Sequence, residues 1–215
     1  MPLLETRQLN PHTILGIWSL TETVEELTQA LPAHLQPDTL LQQAHVRRQR
    51  EWLASRILVY SLLKHFTQQV LPLLCNEHGK PVFPENRYFV SITHSLELIA
   101  VLISDKHEVG IDVELVSPKA LRVAHKFLTD AEREQTGDQI DKTCLYWSAK
   151  ETLYKLYSRK QLIFKENLLL VPSENNNILS GYVQTENLSK LYQIHFETLQ
   201  HHILTYCIDT STTNS

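Results

Sequence analysis

Apolar residues recur at every second position through Val109-Gly110-Ile111-Asp112-Val113-Glu114. A period of two predicts a strand. Asp112 and Glu114 then share one face, and the buried-type run Val109, Ile111 and Val113 shares the other. Thirty-seven residues on from Gly110, the pattern becomes helical. Trp147, Glu151 and Lys155 stand at i, i+4 and i+8, so they form one stripe, and its tryptophan turns the stripe partly inward. The same reading predicts strands over 13–20, 88–93, 98–104, 108–116, 167–171, 179–184, 191–196 and 202–208. Helices are predicted over 22–31, 44–66 (opened by Asp38 as N-cap), 119–127, 130–135 and 138–158. Thr129 with Glu132 has the capping-box pattern for the fourth of these. Glu77-His78-Gly79-Lys80-Pro81 reads as a turn, His94-Ser95-Leu96-Glu97 as a short bend, and 173–177 as a loop.

The elements repeat. Leu15-Gly16-Ile17-Trp18-Ser19-Leu20 parallels 109–114, and Trp52-Leu53-Ala54-Ser55-Arg56 parallels 147–151. Gly16 precedes Trp52 by 36 residues and Gly110 precedes Trp147 by 37. The expected fold is therefore α+β: two similar halves about a pseudo-twofold axis, each a small antiparallel sheet packed on a long helix, with a cleft between. The expected boundaries are 1–106, 107–209 and a polar tail over 210–215. Trp18, Leu20 and Arg56 fall where the second half carries Asp112, Glu114 and Glu151, so only the second half has the acids for a metal.

Composition narrows the class. With 42% apolar and 20% charged residues the chain has the makings of a packed core, and a net charge of −4 gives no basic footprint for nucleic acid. The three cysteines are far apart and form no CxxC pair, which argues against a zinc site or a disulfide framework. Residues 1–10 contain no apolar signal core, and no run approaches the roughly 18 residues of a membrane span. A cytoplasmic protein, off the membrane, is expected.

Acids facing away from a buried-type run, on what reads as an inner strand, are costly unless paired or metal-bound. Gly110 lets a backbone or ligand come close. Glu151 with Lys155 alone would pass as a surface pair worth a few tenths of a kcal/mol. Together, three carboxylates and a lysine suit a hard cation beside a phosphate. Thr93-His94-Ser95 offers a hydroxyl, an imidazole and backbone N–H groups at one rim, and Gly79-Lys80-Pro81 presents a lysine from a fixed turn. Arg47, Arg48 and Arg50 crowd the start of the long helix, where positive charge is unfavourable by roughly 0.3–1 kcal/mol each, so a polyphosphate would suit them.

Gly110-Ile111-Asp112-Val113-Glu114 followed by Trp147-Ser148-Ala149-Lys150-Glu151 and Lys155 resembles the paired signature of the 4′-phosphopantetheinyl transferases. Gly79-Lys80-Pro81, Thr93-His94-Ser95 and Phe127-Leu128-Thr129 resemble that superfamily's other motifs, in the same order, and the length is similar to its monomeric surfactin-type class. The resemblance implies the fold of those enzymes. It also implies transfer of phosphopantetheine from coenzyme A to a serine of an apo acyl or peptidyl carrier protein, with release of adenosine 3′,5′-bisphosphate. It assigns Mg²⁺ to Asp112, Glu114 and Glu151, coenzyme A phosphates to Lys80, Thr93 and His94, and the 3′-phosphate to Arg47. Glu151 would take the serine proton, directly or through water, and Lys155 with Lys150 would neutralise phosphate charge. Carrier recognition would fall on 115–126, through Val116, Ala120, Leu121 and Val123. The chain departs from the pattern at Leu96 and Glu97 and after Lys155, where Arg159 or Lys160 would replace the lysine of a glycine-rich loop. Two rival readings are a non-catalytic coenzyme A or carrier-protein binding module and a Mg²⁺-dependent hydrolase of nucleotide pyrophosphates.

Overall fold

The computed structural model describes residues 3–32, 34–35, 37, 39–158 and 162–211. Its first part contains β1 (Leu3–Asn10), β2 (Thr13–Ser19), α1 (Val24–Ala30), α2 (Thr39–Gln42), α3 (Val46–Leu63), β3 (Leu74–Cys75), β4 (Pro81–Val82), β5 (Phe89–His94) and β6 (Leu98–Ser104). The second contains β7 (Glu108–Leu115), α4 (Pro118–Val123), α5 (Asp130–Thr136), α6 (Ile140–Tyr157), α7 (Phe164–Asn167), β8 (Leu168–Pro172), β9 (Ile178–Thr185), β10 (Leu188–Leu199) and β11 (His202–Asp209).

Every strand pair is antiparallel. One sheet runs β1-β2-β6-β5, the other β7-β11-β10-β9-β8, and β3-β4 is a small hairpin. Alternation along the strands explains the layering. Ile14 and Trp18 face Leu58 and Leu62 of α3. Leu15, Ile17, Ala100 and Leu102 turn the other way, onto Val109, Ile111, Val113 and Leu204 of the second sheet. That sheet's far side carries Leu170, Val183, Ile194 and Cys207 against Ala149, Leu153 and Leu156 of α6. The order is helix, sheet, sheet, helix, and the fold is α+β as expected.

Two glycines set how closely each long helix approaches its sheet. A Cβ on Gly16 would meet Leu58 and Leu62, and one on Gly110 would meet Thr152 and Leu156. The contacts lie 42 and 46 residues downstream in both cases. By this measure the position matching Glu151 is Ile57 rather than Arg56, so the two tryptophans are out of step by one residue.

The local signals act as their chemistry requires. Thr129 Oγ1 accepts from the Glu132 amide while the Glu132 carboxylate accepts from the Thr129 amide, closing the capping box of α5. Gly137 ends that helix at φ 56°. Asp138 does not open α6: it sits at φ 53°, and Gln139 is the N-cap. Likewise α3 starts at Val46 with His45 as N-cap. Asp38, read as the cap of this helix, lies outside the described residues, as do Arg159, Lys160 and 212–215 of the tail. β1 was not expected, and it pairs with β2.

Candidate active site

β7 is an edge of its sheet, not an inner strand: among the described residues it pairs with β11 alone. Its outer backbone groups are buried, so side chains satisfy them. Ser91 Oγ accepts from Ile111 N at 3.1 Å, and Thr93 Oγ1 accepts from Val113 N at 3.2 Å. Lys155 Nζ donates to Ile111 O at 3.2 Å. The seam between the two sheets is thus sewn by two hydroxyls of β5 and the ammonium of α6.

Asp112 lies on this seam, 4% exposed. Its Oδ1 accepts from Thr93 Oγ1 at 3.1 Å and from Lys155 Nζ at 2.7 Å. Its Oδ2 is buried with no hydrogen-bond partner. Glu114, two residues on and on the same face, accepts from Trp147 Nε1 at 2.9 Å. Burial raises the Glu114 pKa, and the charge of Asp112 adds to the effect, with the indole and Lys155 pulling back. Glu151 is pushed up to about 7 by burial first and then by Asp112, against the pull of Lys155.

A second set gathers around Glu51, a buried carboxylate of α3. Arg47 Nε lies 2.7 Å from Glu51 Oε1, and His94 Nδ1 lies 3.5 Å from the same oxygen. Burial lowers the His94 pKa; Glu51 opposes this, while the charges of Lys155, Arg48 and Arg47 add to it. The imidazole is therefore within electrostatic range of both clusters.

The β3-β4 turn brings Lys80 in. Asn76 Oδ1 accepts from the amides of His78 and Lys80, and Gly79 takes φ 82°. Lys80 Nζ donates to Glu108 Oε2 at 2.7 Å. A cavity of about 230 Å³ lies here, with Lys80, Ser91, Ile92, Tyr154, Lys155 and Ser158 in its walls. A lysine from each half of the chain lines it.

Two residues expected at phosphate make their hydrogen bonds inside the protein. Lys150 does not face phosphate: it is fully buried and donates to Phe127 O, Glu132 Oε2 and Phe164 O. Thr93 is 3% exposed, and its hydroxyl donates to Asp112 Oδ1 and accepts from Val113 N. On 115–126, Ala120 packs with Cys144 and Ile203, and Val116 and Val123 also pack against the core. Sequence reasoning missed Glu51 and Ser91. Arg47 and Glu51 at i, i+4 and Ser91 and Thr93 at i, i+2 were the available signals.

Three carboxylates of which one has an unsatisfied buried oxygen suit an oxygen-ligated cation such as Mg²⁺. They feel each other's charge, but among the described residues no three His, Cys, Asp or Glu side chains are gathered around one point.

Acids on a strand edge stand at the seam of two antiparallel sheets, with Lys155 bonded to Asp112 and Lys80 in the wall of the adjoining cavity, in an α+β fold. The chain belongs to the 4′-phosphopantetheinyl transferase superfamily. Residues 36–104 match the 4′-phosphopantetheinyl transferase N-terminal domain, and residues 108–208 match the 4′-phosphopantetheinyl transferase superfamily. Over 163 residues the chain is 31% identical to the 4′-phosphopantetheinyl transferase AcpT of Escherichia coli (strain K12), covering 71% of this chain and 80% of that one. Over 129 residues it is 33% identical to the 4′-phosphopantetheinyl transferase AcpT of Salmonella typhimurium, covering 55% of this chain and 65% of that one.

Proposed function

We propose that this enzyme transfers the phosphopantetheine arm of coenzyme A to a serine hydroxyl of an apo acyl or peptidyl carrier protein. The observation that supports it most is Asp112, held by Lys155 and Thr93 with one oxygen unsatisfied, between two further acids.

The serine oxygen attacks the pantetheine-side phosphorus of the pyrophosphate. The bridging P–O bond breaks, and its electron pair leaves with adenosine 3′,5′-bisphosphate. Glu151 receives the serine proton, directly or through a water. Burial and the nearby Asp112 charge push its carboxyl up to about 7 in the metal-free protein, within the range of a general base. Lys80 and Lys155 line one cavity and would neutralise pyrophosphate charge there. His94 and the half-exposed Arg47, tied together through Glu51, would take the 3′-phosphate. Mg²⁺, held by Asp112, Glu114 and Glu151, would supply further neutralisation of the phosphate oxygens. The same reading makes the enzyme a cytoplasmic monomer without nucleic-acid partners. No described helix is long and apolar enough to cross a membrane.

The test is a mass-shift assay with coenzyme A and a panel of apo carrier proteins, with and without chelator. The parent should load at least one carrier, and chelator should stop it. Asp112→Asn should lose at least about a hundredfold, the order seen when a charge-organising group is removed. Unchanged loading by that variant, or none by the parent across the panel, would refute the proposal.

A further inference from the structure

The signature lysine that turns away from the cleft has a task of its own. Lys150 Nζ is fully buried, and its three acceptors lie at 2.6 Å (Phe127 O), 2.8 Å (Glu132 Oε2) and 3.2 Å (Phe164 O). An ammonium has three protons to donate, so this is a complete set. The two carbonyls belong to separate segments, Phe127 between α4 and α5 and Phe164 at the first residue of α7. Glu132 is anchored in turn by the amides of Thr129 and Leu170, both at 2.8 Å.

The rings on those two backbone positions close on Trp147. Phe127 meets it edge-on at 5.0 Å, and Phe164 stacks on it at 5.5 Å with 24° between the planes. Trp147 then donates its indole N–H to Glu114 Oε1. We propose that Lys150 is a positioning residue. By clamping the Phe127 and Phe164 carbonyls it fixes the aromatic pair that aims Trp147 at Glu114, and it touches no substrate. This rests on the transferase reading only for its catalytic consequence.

Removing Lys150 alone would strand the Glu132 charge in the core and threaten folding. The test therefore uses Lys150→Met/Glu132→Gln, which removes both charges and keeps similar volume. In a ¹⁵N spectrum the chain gives three indole N–H signals, and Trp147→Phe assigns the one that matters. That signal should move and exchange faster with solvent in the double variant, with those of Trp18 and Trp52 in place. The kcat for carrier loading should fall about tenfold or more while KM for coenzyme A stays within about twofold. A rise in KM at constant kcat would overturn the proposal by making Lys150 a coenzyme A contact. An unmoved Trp147 signal would overturn it as well. If the parent loads no carrier, the transferase reading falls, and the indole signal still decides whether Lys150 holds Trp147.

Discussion

Replacing Gly110 by alanine would put a methyl carbon 2.4 Å from the Thr152 carbonyl oxygen, 3.0 Å from Leu156 Cβ and 3.2 Å from Leu156 N. Ordinary heavy-atom contact begins near about 3.5 Å, so α6 must retreat from β7 by roughly 1 Å. Two of the three atoms are helix backbone, and no rotamer change relieves them. Overpacking of this kind costs about 1–3 kcal/mol. The retreat also stretches the 2.7 Å contact of Lys155 with Asp112 and carries Glu151 away from the strand acids. A misplacement near 1 Å at reacting groups costs about a hundredfold in rate. Gly16→Ala is the internal control. Its Cβ would meet only the Leu58 and Leu62 methyl ends, at 2.9–3.0 Å, and these can swing aside. We expect Gly110→Ala to melt earlier by circular dichroism and to load carrier about a hundredfold more slowly. Gly16→Ala should lose less stability and keep kcat within about twofold. Loading by Gly110→Ala at the parental rate, or an equal rate loss in both variants, would refute the reasoning.

Thr93→Val keeps shape but orphans Val113 N and one bond to Asp112, so a urea titration should show a loss of about 1–3 kcal/mol together with slower transfer. Because the folded protein raises the Glu151 pKa from 4.5 to about 7, the native state binds the extra proton, and this group costs stability as pH rises through that window. In metal-free protein Glu151→Gln should therefore flatten the fall of melting temperature between those pH values; an unchanged slope would show that the acid is not perturbed. Lys80→Met should raise KM for coenzyme A about tenfold with kcat little changed, and a kcat defect instead would move Lys80 from binding to chemistry.

Much of the site was legible because its two carriers have clean periods. Alternation in 109–114 separates Asp112 and Glu114 from the residues that pack on the first sheet, and they do face α6. Lys150 lies in the core because a helix turns about 100° per residue, which sets it off the stripe of Glu151. β1 was missed because none of its residues is buried: it is an edge strand, and its hydrophobic signal is correspondingly weak. The edge position of β7 was illegible for a different reason. Its apolar run looks the same whether a neighbouring ladder or the hydroxyls of Ser91 and Thr93 satisfy the backbone. The role of Glu51 depends on His94 arriving from another element, a long-range fact that no local period carries.

The hydroxyl seam has a consequence for how the chain is made. Its two family matches meet between residues 104 and 108, which invites treating the parts as separable modules. Yet β5 and β7 are the strands that would be left bare by a cut there. Each part synthesised alone would present an open strand margin, the template on which β-proteins aggregate. During translation the first sheet must wait, with β5 uncovered, until β7 emerges. A substitution that weakens the seam therefore endangers solubility as well as chemistry.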